Sequence, residues 1–99
     1  MKALEYFLSA YFNEDWALEA KSSREVARAF ARNEPRDQIA RVLEDLKEIR
    51  GSSLTEETAQ QLLESLGSYF RPESEGYSAV AWLRKLEEWL SEGLKALPA

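Results

Sequence analysis

The side chains with the most chemistry to offer in this 99-residue chain are its carboxylates: 18 Asp and Glu against 13 Lys and Arg, with no His and no Cys. Glu14 with Asp15, and Glu44 with Asp45 and Glu48, set acids close enough to work as an acid/base pair or to hold a hard cation. Neither group has the spacing of a calcium loop, and the chain has no phosphate-cradling glycine run and no partner nucleophile. The absence of His and Cys removes imidazole catalysis, thiol nucleophiles, disulfides and the usual zinc and iron ligand sets. We therefore expect no enzyme, no cofactor, no metal site and no small-molecule substrate. What remains for the acids to do is bind.

Their distribution is uneven. Residues 1–20 set Lys2 against Glu5, Glu14, Asp15 and Glu19, a net charge of -3, and residues 51–77 set Arg71 against Glu56, Glu57, Glu64, Glu73 and Glu75, net -4. Residues 21–50 are net +2 and the remainder is balanced, which gives -5 for the whole chain. If the two acidic regions share a side, the surface steers and holds a basic partner, the charge acting chiefly on the association rate. The alternative is that these acids are solvated or stabilise helix N-termini. Arg24, Arg28, Arg32 and Arg36 recur every four residues and put at least the first three on one helix stripe. Such a row can contact phosphates, or it can be a solvated face pairing with Glu25, Glu34 or acids of a neighbouring helix. The negative whole-chain charge opposes nucleic-acid binding and attraction to anionic membranes.

The elements that must position these groups are helices. Leu4, Phe7, Leu8 and Tyr11 repeat at spacings of three and four, predicting a first helix over Lys2 to Phe12. Asn13 and Asp15 are turn formers, and Phe12 and Trp16 pin the turn against a core. Ala17 to Lys21 reads as a helical turn or an extended link. Ser22 and Glu25 resemble a capping box; the helix they open buries Val26, Ala27, Phe30 and Ala31 and stops at Asn33, before Pro35. Pro35 fits the first position of the next helix, which buries Ile39, Val42, Leu43, Leu46 and Ile49 and ends at Gly51 as a left-handed cap.

Ser53 or Thr55 caps a fourth helix, with Ala59, Leu62, Leu63 and Leu66 inside and Gly67 at its end. Ser68 to Tyr77 is a loop from which Tyr69 and Phe70 dip into the core. The last helix starts near Ser78 and carries Val80, Leu83, Leu86, Leu90, Leu94 and Leu97 as a stripe, widened by Trp82 and Trp89. Gly93 frays it or ends it early, and Pro98 closes the tail. Tyr69, Tyr77, Trp82 and Trp89 are candidate interface anchors, set against core packing for Trp16, Trp82 and Tyr11 and a partly exposed position for Trp89, beside two glutamates.

The expectation is one all-α domain over residues 1–99, a compact bundle of about five short helices. No signal peptide and no membrane-spanning run is visible, which makes a soluble cytoplasmic protein the default.

Three stretches carry a resemblance to a known family: Leu8-Ser9-Ala10-Tyr11-Phe12-Asn13-Glu14-Asp15-Trp16, Leu66-Gly67-Ser68-Tyr69 with Pro72, and Tyr77 with Trp82-Leu83. In this order the chain resembles the small all-α immunity proteins of bacterial contact-dependent growth inhibition systems. The resemblance implies a protein that binds the toxic C-terminal domain of a large delivered toxin, often a nuclease, inside the producing cell and blocks it, by covering the active site or indirectly. The expected partner is that toxin domain, one to one, and Glu14, Asp15, Glu19, Glu56, Glu57, Glu73 and Glu75 are the candidate contacts to its basic groups. The rival expectation is a small helical adaptor or homodimer that uses the Trp82 and Trp89 face of the last helix.

Overall fold

Three short polar side chains open helices where the sequence places them. Ser22 Oγ accepts from the Glu25 N–H (3.2 Å), Thr55 Oγ1 from the Thr58 N–H (3.2 Å), and Ser78 Oγ from the Ala81 N–H (3.0 Å). Each satisfies one of the amide donors that a helix start leaves without an intrahelical acceptor. In the computed structural model, which describes residues 1–97, the resulting order is α1 (Lys2–Tyr11), α2 (Trp16–Glu19), α3 (Ser23–Asn33), α4 (Arg36–Arg50), α5 (Glu56–Ser65), a 3-10 turn (Pro72–Glu75) and α6 (Ala79–Ala96). The all-α expectation holds, with five of the six α-helices ten residues or longer.

Helix α6 is the centre of the assembly. It packs against α3, α4 and α5, while α1 lies across α4 and α3. The apolar stripes of all these helices meet in one core in which Leu4, Phe7, Phe12, Ala27, Phe30, Ile39, Val42, Trp82, Leu86 and Leu90 are shut off from solvent. An aromatic chain runs through it. Phe7 meets Phe30 (4.4 Å between ring centroids), Phe12 meets Trp82 (5.1 Å), and Phe70 meets Trp82 (4.7 Å). Edge and tilted contacts of this kind add to the area they bury.

Several local expectations are corrected. Helix α3 has no complete capping box, because Glu25 Oε2 accepts from the Lys21 N–H (3.0 Å), one residue earlier than the box requires. Pro35 is the extended residue before α4 (φ -60°, ψ 149°), not its first turn. Gly51 is right-handed (φ -80°), and the left-handed residue of that turn is Ser53 (φ 57°). Gly67 is the left-handed cap (φ 84°), closing α5 with the Ser68 N–H bonded to the Leu63 carbonyl and its own N–H to the Glu64 carbonyl. A side chain at Gly67 would also press on Ser9 Cβ at 3.1 Å, so close approach to α1 reinforces the choice.

Gly93 neither frays nor ends α6, which continues to Ala96. Its missing side chain instead lets α3 approach, since a Cβ there would lie 2.5 Å from Ala31 Cβ. Pro98 lies outside the described residues. Of the tryptophans, Trp82 is buried as expected, but Trp89 is buried too, and Trp16 and Tyr11 are only half-buried. Phe70 enters the core while its neighbour Tyr69 is 62% exposed.

Candidate functional site

The turn after α1 is built by Asn13, whose Nδ2 donates to the Ala10 carbonyl (2.9 Å) and whose Oδ1 accepts from the Asp15 N–H (2.9 Å). Using both ends of one amide, it stops α1 and launches the single turn of α2. Glu14, Asp15 and Glu19 are exposed on this segment, and so is Leu18, at 83% the most exposed large apolar side chain described. Trp16 stands behind them, its ring against Phe12 (6.0 Å) and Phe70 (5.2 Å).

Those ring contacts join the two acidic regions. Phe70 belongs to the segment after α5, and the Tyr69 N–H donates to the Phe12 carbonyl (2.9 Å), so residues 68–73 are tied directly to the end of α1. Glu73 is exposed on this segment and lines a cleft with Glu64 and Gln60 of α5. Glu57, Gln60 and Glu64 follow at spacings of three and four, which sets them along one side of the helix. The Trp16–Phe70 contact thus links the segment that carries Glu14, Asp15 and Glu19 to the segment that carries Glu73.

Glu56 and Glu75 are differently placed. The Glu56 carboxylate accepts from the Ala79 N–H (2.8 Å) and the Val80 N–H (3.1 Å), and so caps α6 from the start of α5. Those bonds hold its pKa below the usual 4.5, first through Ala79 and then through Val80. Glu75 is half-buried and takes both donors of Ser23, the hydroxyl at 2.6 Å and the N–H at 2.9 Å. The Ser23 hydroxyl in turn accepts from Trp82 Nε1–H (3.1 Å), completing a chain from core to surface. Both acids hold elements together with the same oxygens a partner would need.

The other carboxylates raised by the sequence also have local tasks. Asp45 accepts from the Leu4 N–H (3.1 Å) at the head of α1, while Glu44 and Glu48 are exposed. No group of three or more metal-ligating side chains occurs among the described residues. Glu34 receives the hydroxyls of Tyr6 (3.0 Å) and Tyr11 (2.8 Å), binding α1 to the end of α3. Burial, then the Glu34 bond, pushes the Tyr11 phenol up to about 12.

Glu25 and Glu34, offered as partners for the arginine row, accept from the Lys21 N–H and from the two tyrosines. Arg24 meets Glu92 of α6 at 4.0 Å, Arg36 donates to the Leu97 carbonyl (3.2 Å), and Arg28 and Arg32 lie exposed beside the end of α6. The Trp82 and Trp89 face proposed for an adaptor or homodimer is not available, because both rings are inside the core.

Sequence reasoning did not settle three residues of this surface. Glu64 counts in the sequence only as a unit of charge, Tyr69, read both as dipping into the core and as an interface anchor, is exposed, and Leu18 belongs to no apolar stripe. That last irregularity was the signal: a large apolar side chain with no periodic reason to be there.

A family model described as CdiI immunity protein matches residues 1–90. Among solved structures, a chain in the crystal structure of a CdiA-CT/CdiI complex from Y. kristensenii 33638 superposes with a TM-score of 0.84 at 21% identity, covering 90% of this chain and 96% of that one. No curated protein sequence matches. No helix among the described residues is long and apolar enough to cross a membrane.

Proposed function

The chain belongs to the CdiI immunity protein family, and from that premise we propose that it binds the C-terminal toxin domain of a contact-dependent growth inhibition effector, one to one, and neutralises it in the cytoplasm of the cell that makes both. The observation that carries this reading is the family match over residues 1–90. The similar solved chain from a CdiA-CT/CdiI complex supports it.

Inhibition is by occupation and not by turnover. A chain without His or Cys has contact surface to offer and little else. The contacts we assign are Glu14, Asp15, Glu19, Glu57 and Glu73, while Glu56 and Glu75 keep the helices beneath that surface in place. Exposed acids on the two segments that also expose Leu18 and Tyr69 suit a partner that is basic at its functional surface, as a nuclease is where it holds phosphates. Long-range attraction then speeds encounter, and an inhibitor must arrive before its target acts.

Co-expression with the toxin domain encoded beside this gene tests the reading. Cells should keep growing, and the two proteins should co-elute as a 1:1 complex. Growth arrest together with separate elution would remove the assignment.

A further inference from the structure

The chain carries an apolar plug and an apolar socket that do not meet within one copy. The plug is Leu18, 83% exposed on α2. Glu14, Asp15 and Glu19 are exposed on the same segment, and none of them is paired with a described basic side chain. The socket is a cavity of about 90 Å³ between the end of α4 and the first half of α6. Its walls are aliphatic, with Leu46 and Ile49 from α4, Leu54 from the connection to α5, and Val80 and Leu83 from α6. Two exposed arginines and Glu87 complete the lining. Arg50 is held by Glu87, Nε to Oε1 at 3.1 Å and Nη2 to Oε2 at 3.2 Å. Arg84 has no partner among the described residues.

The socket has the volume of about three waters at roughly 30 Å³ each, but its aliphatic walls give water few hydrogen bonds. The same room suits one leucine side chain. Charge complements shape: an unpaired cation stands at the socket, and unpaired carboxylates flank the plug. We propose that two copies of this chain dock through these parts, each placing its Leu18 in the other's α4–α6 socket with the flanking carboxylates against Arg84. The exchange is mutual, so the assembly closes at two. Each contact is small, and the dimer is accordingly weak. It belongs to the toxin-free chain and does not depend on the toxin-binding reading.

The test is sedimentation equilibrium of the full chain without toxin, from micromolar to millimolar concentration. The parent mass should rise from monomer to dimer across that range. Leu18→Ser removes the plug from both contacts and should weaken the dimer about 100-fold. Arg84→Glu, on the socket side, should weaken it about tenfold. Both positions are exposed, and each variant is first shown to melt like the parent. A parent that stays monomeric at millimolar concentration, or that assembles past the dimer, overturns the proposal. So does a dimer that either variant leaves within about threefold of the parent. The competing occupant is an apolar side chain of the toxin domain. A monomeric parent whose toxin affinity falls with Arg84→Glu gives the socket to the toxin and overturns the self-contact. Toxin affinity is read separately by calorimetry, so failure of the dimer leaves the toxin-binding reading standing.

Discussion

Glu75 separates an acid that grips a partner from one that holds the fold. Its carboxylate takes the Ser23 hydroxyl at 2.6 Å and the Ser23 N–H at 2.9 Å, and Ser23 is wholly buried. Glu75→Ala removes both acceptors at once. Hydrogen bonds to a charged group contribute about 1.5 to 3 kcal/mol each; the low end applies because Glu75 is half open to water, giving about 3 kcal/mol for the pair. At roughly 4 to 8 °C per kcal/mol for a domain of this size, the melting temperature should fall by about 12 to 24 °C. Glu75→Gln keeps one acceptor and should lose about half as much stability. The assay is urea denaturation followed by tryptophan fluorescence, with toxin affinity measured by calorimetry at a temperature where every variant is folded. Both variants should bind toxin within threefold of the parent. A loss of stability below about 1 kcal/mol combined with a tenfold loss of affinity would refute the reasoning and return Glu75 to the toxin contacts.

Gly93→Ala, which in an open helix would stabilise by about 1 kcal/mol, should here destabilise by about 1 to 2 kcal/mol, because the new Cβ would sit 2.5 Å from that of Ala31. Urea midpoints should also show Ala31→Gly and Gly93→Ala costing less together than the sum of the two, and a stabilised Gly93→Ala would contradict the close α3–α6 approach. Trp16→Ala should cost about 2 to 3 kcal/mol, less than the 3 to 5 kcal/mol of a fully buried ring, and a value in that higher range would mean the ring is enclosed. The pH dependence has two arms of opposite sign. The depressed pKa of Glu56 makes its contribution complete above the ordinary 4.5 and lost as pH falls through the folded value, so Glu56→Gln should flatten the acid arm of the urea midpoint. The Tyr11 phenol, raised from 10.0 to about 12, contributes fully below 10 and loses that contribution as pH rises toward 12. Phenolate absorbance should show Tyr6 and Tyr11, both raised beside Glu34, titrating late, and Tyr11→Phe should remove the step near 12.

The helix starts were legible because a cap is a local device. Ser22, Thr55 and Ser78 each bond an amide three residues ahead, and the sequence displays donor and acceptor side by side. Helix ends and ring burial were less so. Gly51 and Gly67 look alike in sequence, yet only Gly67 must be left-handed, because its loop turns back under α1 and has no room for a side chain beside Ser9. Trp89 has glutamates at 87 and 88, which suggested exposure. Its register seven residues after Trp82 carries it into the same core, and the Tyr77 ring covers it at 6.2 Å.

The acidic surface shows where local reading stops. Adding charges by segment singles out stretches in which Glu14, Asp15, Glu19, Glu57 and Glu73 are all exposed. It treated Glu56 and Glu75 as their equals. What distinguishes those two is a bond to an amide 23 residues away in one case and 52 in the other, and no composition or periodicity encodes a separation of that kind. A carboxylate is drawn to a helix N-terminus for the same electrostatic reason that it is drawn to a partner's arginine. Which it finds depends on which positive end the fold brings within reach first. In this chain the fold delivers the start of α6 to Glu56 and the start of α3 to Glu75. Glu64 and Glu73 are left exposed to solvent.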